Sequence, residues 1–170
     1  MSLLQEYELL RRVPFFAEIE PSKLKLLTFM SERVGYDSGK TLFRQGDRGD
    51  AAYLIIEGEA EIIVELQTGP MTIATLGPHE IVGEMAILCD VPRTATVRAK
   101  GRLVALRIGK EPFMRMVREF PSMAVSIMRE LAHRLEMTNN QLRASLSEVR
   151  RLREGGSAET AAKETANAAE

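Results

Sequence analysis

A glycine followed at once by a carboxylate, Gly83-Glu84, and an arginine nine positions further on, Arg93, are the residues here whose types and spacing could do chemistry. They lie in the segment Val82-Gly83-Glu84-Met85-Ala86-Ile87-Leu88-Cys89-Asp90-Val91-Pro92-Arg93-Thr94-Ala95-Thr96-Val97. The chemistry is anion binding. Gly83 permits a backbone conformation closed to other residues and lets a ligand approach closely. The helix-favouring run Met85–Leu88 would present unpaired N–H groups and a partial positive charge at its start, which suits a phosphate. Arg93 supplies a planar fork that can grip two phosphate oxygens together. Glu84 is an acceptor and would repel a phosphate, but beside one it is well placed for a sugar hydroxyl. The competing reading is an internal Glu84–Arg93 ion pair, since a buried arginine needs a partner in any case.

Other chemistries find no residues. Nothing resembles a nucleophile with its base or paired carboxylates in a cleft, so no enzyme and no catalytic residue is expected. His79 and His133 are far apart and lack metal-ligand spacing, which argues against a metal-dependent jelly roll and against any metal site. Cys89, the single cysteine, rules out an intrachain disulfide and is read as a small packing residue.

The elements that must position this segment follow from texture. Leu3, Leu4, Tyr7 and Leu10 recur at helical period after a Ser2–Gln5 capping box, giving a helix over 3–11. Pro21 opens a second helix carrying Leu24, Leu27 and Met30. From about Arg33 glycines punctuate short apolar runs: Thr41–Gln45, Tyr53–Ile56, Ala60–Leu66, Met71–Leu76, Ala95–Ala99 and Leu103–Ile108. Ala60, Ile62, Val64 and Leu66 alternate with Glu61, Ile63 and Glu65 at a period of two. No crossover helix fits the gaps, so the sheet must be antiparallel, in a sandwich or barrel. Pro112 and Pro121 open two closing helices, the second expected to end near Glu154. The tail after it holds no aromatic or large aliphatic residue and is expected to be disordered.

With 170 residues, 45% apolar, 28% charged and a net charge of −1, the chain has no global reason to seek nucleic acid or an anionic membrane. Arg150, Arg151 and Arg153 read as the solvated end of a helix. The first residues carry Glu6 and Glu8 inside their apolar stretch, unlike a secretory signal, and no apolar run reaches the roughly 18 residues of a membrane span. A cytoplasmic protein is expected.

The segment 82–97 resembles the phosphate-binding cassette of the cyclic-nucleotide-binding family, which includes the catabolite activator protein and the regulatory subunits of protein kinase A. The family pattern Phe-Gly-Glu-(Leu/Met)-Ala-Leu, a short loop, then Pro-Arg-(Ala/Ser/Thr)-Ala-Thr-Val stands here as Val82–Ile87 and Pro92–Val97. Val82 departs from the usual Phe but is still apolar. Gly46 and Gly58 match family turn glycines, and the likeness covers about Val13 to Gln141. It implies a mainly β fold with α: an antiparallel β-barrel of double-stranded jelly-roll type, flanked by N-terminal helices and a long C-terminal helix. It implies cyclic AMP or cyclic GMP as ligand, and no cofactor. By the same resemblance Glu84 accepts from the ribose 2′-hydroxyl, Gly83 and Ala86 offer backbone contacts, Arg93 pairs with the cyclic phosphate, and Thr94 gives its N–H to phosphate. Thr94 could also reach a guanine amino group. Met85 and Ala95 complete the ligand-binding set. Ile62 and Val64 on a strand, and Leu131 and Leu135 on the last helix, are candidates to line the base.

The expected organisation is an N-terminal helix over 1–12, a barrel over 13–120 containing the cassette 82–97, a lid or dimerisation helix over 121–154, and a tail over 155–170. Met128, Leu135, Leu142 and Val149 fall seven apart, and Leu131, Thr138, Ser145 and Leu152 fall between them. The first row is apolar throughout, which suits a two-stranded coiled coil joining two copies; the alternative is a lid folded on its own barrel. After Glu154 no helix-turn-helix would follow, so the output is expected to pass through an effector protein, through dimerisation or through sequestration. A transcription regulator lacking its helix-turn-helix and a ligand-free scaffold are the alternatives.

Overall fold

The computed structural model describes residues 3–16 and 19–167, with Leu3, Gln5, Phe15 and residues 154–167 described by backbone alone. Ser2 of the capping box and residues 168–170 of the tail therefore lie outside the described residues. The chain divides at Ile127–Met128 into two units.

The first unit starts with α1 (Leu3–Arg12) and α2 (Pro21–Phe29), joined through a short turn of 3-10 helix at Pro14–Phe16. Pro21 sits in the first turn of α2, where its missing N–H costs nothing. Leu10, Phe16, Leu24 and Leu27 are almost wholly buried. Met30, the third member of the predicted helical row, instead closes α2 as its C-cap and is exposed.

Eight strands follow: β1 (Glu32–Tyr36), β2 (Thr41–Phe43), β3 (Ala51–Glu57), β4 (Ala60–Leu66), β5 (Gly69–Leu76), β6 (Ile81–Val82), β7 (Thr96–Ala99) and β8 (Leu103–Gly109). They form two four-stranded antiparallel sheets, ordered β1-β8-β3-β6 and β2-β7-β4-β5. This is the antiparallel double sheet the sequence implies. Two strands escaped the sequence reading. Strand β1 is an edge in which only Val34 and Tyr36 turn toward the core, and β6 is only two residues long, so each is too short for its pattern to stand out in the sequence.

Between the sheets lies a core of Ala51, Tyr53, Ile55, Ala60, Val82, Val97, Ala99, Leu103 and Ala105. The strict period of two expected along β4 is broken. Ile63, on the expected polar face, is buried, while Ile62 and Val64 are half-buried. The pairing with β7 runs unbroken from Ala60 to Ile63, and the register shift against β5 skips Ile73 on that strand, so Ala60 and Ile62 keep the core face while Ile63 is covered on the opposite one.

Between β6 and β7 lies the five-residue α3 (Glu84–Leu88). After β8 come α4 (Lys110–Glu119) and α5 (Pro121–Asn167). Helix α4 turns Phe113 and Met116 inward, and the first turns of α5 bury Met123 and Ile127. Helix α2 packs on α4, as does α3.

The second unit is the remainder of α5. The helix continues through Asn167, past the end expected near Glu154, so the tail expected to be disordered from 155 is helical to that point. Gly155 and Gly156 each cost a helix about 1 kcal/mol relative to Ala, but the run beyond them is rich in Ala with some Glu, which favour it. Met128, Leu135, Leu142, Leu146, Val149 and Leu152 are all exposed.

Candidate functional site

The candidate site is assembled from α3, the loop after it and the β2–β3 turn. Gly83 is the N-cap of α3 with φ 85°, a left-handed value that favours glycine. Space there is closed as well. A Cβ at Gly83 would lie 2.5 Å from Arg93 Nη1, 3.2 Å from the Phe43 ring and 3.3 Å from the Ala51 carbonyl oxygen. Gly49 has the same steric role on the other side of α3: a Cβ there would fall 2.5 Å from the Cβ of Ala86. The short helix is thus seated between two positions where only glycine fits.

Arg93 is the centre of the arrangement, with its side chain 1% exposed. Its main chain is pinned to the β2–β3 turn. The Arg93 N–H donates to the Asp47 carbonyl at 2.8 Å, and its own carbonyl accepts from the Gly46 N–H at 2.8 Å. The guanidinium donates from Nη1 to the Gly83 carbonyl at 2.8 Å. Nη2 donates to the Ala51 carbonyl at 2.7 Å and to Asp50 Oδ1 at 3.3 Å. The Phe43 ring covers one face, its centroid 4.0 Å from Cζ. Nε is buried and has no hydrogen-bond partner among the described residues. Leaving a buried donor unmet costs about 1–3 kcal/mol, so an acceptor on that edge is favoured. Burial lowers the guanidinium's pKa from its ordinary value, opposed by Tyr53, Asp50 and Asp47.

Asp50 serves three partners. Besides Arg93, its Oδ2 accepts from Arg107 Nη2 at 2.6 Å, and its main-chain carbonyl accepts from the Lys110 N–H at 2.8 Å. Burial pulls Arg107 down, but its hydrogen bonds to Asp50 and Tyr53 outweigh this and raise it. Lys110 also reaches back to the loop after α3. Its Nζ donates to Asp90, which stands at φ 53° and whose carboxyl this bond holds below the usual range. The first residue of α4 is therefore tied to both sides of the site.

The predicted residues fall as follows. Gly83 and Arg93 are directly bonded. Glu84 opens α3 and is 3% exposed, and Ala86 is buried against Gly49. Met85 points to solvent. Ala95 is buried and Thr94 exposed, as alternation on either side of a strand start requires. Ile62 lies opposite Val97 and packs against the inter-sheet core; Val64 is half-buried. Leu131 and Leu135 belong to the second unit, with Leu135 exposed. Sequence reasoning missed Phe43, Gly49, Asp50, Ala51 and Arg107. Their only signal was the turn Gly46-Asp47-Arg48-Gly49-Asp50, dense in glycine and charge just before a buried apolar strand.

Residues 33–120 match the model of the cyclic nucleotide-binding domain. The chain belongs to that family. It is similar to the CRP-like cAMP-activated global transcriptional regulator of Mycobacterium tuberculosis, 31% identical over 136 residues, 79% of this chain and 61% of the regulator. It is also similar to the cAMP-dependent protein kinase regulatory subunit of Blastocladiella emersonii, 37% identical over 109 residues, 64% of this chain and 27% of that subunit. The crystal structure of the Thermus thermophilus catabolite activator protein superposes with a TM-score of 0.68 at 32% identity, covering 76% of this chain and 61% of that one. The chain thus spans under two thirds of the length of these relatives. Among the described residues, no group of three or more His, Cys, Asp or Glu could hold a metal ion, and no helix is long and apolar enough to cross a membrane.

Proposed function

We propose that the chain is a cyclic-nucleotide sensor, with cyclic AMP the preferred ligand, that does no chemistry on it. The observation that carries this reading is the buried Arg93 guanidinium, with two edges satisfied by protein and the Nε edge unmet. A cyclic phosphodiester, carrying one negative charge, supplies the acceptor that edge lacks. The first N–H groups of α3 add donors to the same anion, and Glu84 takes the ribose hydroxyl. Relatives named for cyclic AMP support that base over guanine. In a thermal-shift measurement, cyclic AMP at about a hundredfold excess over its dissociation constant raises the midpoint by roughly 5–10 °C. Cyclic GMP at equal concentration raises it less. No shift with either nucleotide discards the reading.

The signal leaves through α4 and α5 to an effector protein, the ties from Lys110 to Asp50 and Asp90 giving the route. We further infer a homodimer through α5, because its heptad row Met128, Leu135, Leu142 and Val149 is exposed throughout. Replacing Leu135 and Leu142 with Glu together is expected to convert a dimer to monomer in sedimentation velocity. An unchanged sedimentation coefficient for the double variant removes the coiled coil.

A further inference from the structure

Phe43 stands in β2, beside Val97 of β7, half-buried and packed against the inter-sheet core. Its ring lies 4.0 Å from Arg93 Cζ. The Tyr53 ring packs beside it, 5.7 Å away between centroids and tilted by 35°. The Nη atoms of Arg93 are fixed by the carbonyls of Gly83 and Ala51, both at hydrogen-bond distance. With the Asp50 contact on Nη2 at 3.3 Å, these bonds anchor the Nη end and leave the tilt of the guanidinium plane, which swings Nε, to whatever packs on its face. An aromatic face against the plane holds that tilt, because the attraction of a cation to a π-system depends on the ring's quadrupole and on the cation staying over it. The ring also keeps water from that face, so the charge is less screened than at a solvated site.

We propose that Phe43 is a positioning residue for anion recognition, its π face holding the Arg93 plane so that the Nε edge meets the phosphate. This rests on the cyclic-nucleotide reading. A branched aliphatic side chain would fill the space without orienting the plane, since dispersion has no preferred direction of that kind.

The test uses the full chain and cyclic AMP titrated by calorimetry. Phe43→Leu is expected to weaken binding on the order of tenfold, and Phe43→Trp to restore it. Phenylalanines at position 43 bearing one, two and three fluorines keep shape while draining the π face, and affinity is expected to fall stepwise with fluorine number. Thermal midpoints of the unliganded variants show whether each folds, and the nearly isosteric fluorinated series keeps the question answerable if Phe43→Leu does not. Wild-type affinity in Phe43→Leu overturns the proposal. So does weakened binding in Phe43→Leu with a flat fluorine series, which makes the ring a spacer only. If the unaltered chain binds neither cyclic AMP nor cyclic GMP, the cyclic-nucleotide reading itself fails and takes this proposal with it.

Discussion

Arg93→Ala is expected to weaken cyclic AMP binding by about 2–5 kcal/mol, the cost of truncating one member of a buried charged pair. That corresponds to roughly thirty- to several-thousand-fold in affinity. The magnitude is large because the guanidinium side chain is 1% exposed, so its charge is not diluted by solvent. The same substitution also removes the donors to the Gly83 and Ala51 carbonyls and the partner of Asp50 Oδ1. Stability falls too, since oxygens left without donors in a buried site carry a desolvation cost. Two measurements separate the effects: calorimetry at a temperature where both proteins are folded, and the thermal midpoint without ligand. Arg93→Lys sharpens the comparison. It keeps the charge but loses the planar fork and the stack on Phe43, so binding stays well below wild type. Unchanged affinity in Arg93→Ala takes Arg93 out of the site.

Gly83→Ala is expected to damage both fold and binding with a single methyl group. The residue stands at φ 85°, where a side chain is strained by about 1–2 kcal/mol. The added Cβ would then sit 2.5 Å from Arg93 Nη1, with the Phe43 ring at 3.2 Å and the Ala51 carbonyl oxygen at 3.3 Å. Strand β6 and α3 hold the glycine, so the arginine must move. It then loses its bond to the Gly83 carbonyl and the orientation of its Nε edge. The midpoint of unfolding falls, and cyclic AMP affinity falls by at least tenfold, an estimate of about 1.4 kcal/mol for a displaced charge-assisted contact. Gly39→Ala is the control. That glycine also has positive φ, 78°, but a Cβ there meets nothing within 4 Å. It bears the backbone strain without the collision, so it should lower stability and leave affinity intact. Equal affinity losses in the two variants would show that backbone strain, not displacement of Arg93, is responsible.

That Gly83, Ala86 and Arg93 come together was legible because they are close in sequence. Gly83, Glu84, Ala86 and Arg93 stand within one short segment, and their types announce an anion cradle before any fold is known. The double antiparallel sheet was legible for a related reason: glycine turns and short apolar runs leave no room for crossover helices. What escaped were partners brought in from far along the chain. Asp50 lies 43 positions before Arg93, and nothing in its neighbourhood says which arginine it will meet. Phe43 looks like any core aromatic until the ring is seen beneath the guanidinium. Strand β1 was missed because only Val34 and Tyr36 of its five residues turn toward the core, and the simple alternation in β4 did not hold because Ile63 is covered on the face opposite the core. The end of α5 was misplaced because a glycine pair is a weak stop when the residues after it favour helix.

Asp50 reaches Arg93 and Arg107 with its carboxylate and Lys110 with its peptide oxygen. Only two rotatable side-chain bonds separate those two sets of contacts. The guanidinium, the end of β8 and the first turn of α4 consequently share one fulcrum, and a tug on any of them loads the other two. Such a joint favours concerted displacement over piecemeal loosening, and it places the mechanical linkage of the molecule on a residue that need never touch the nucleotide.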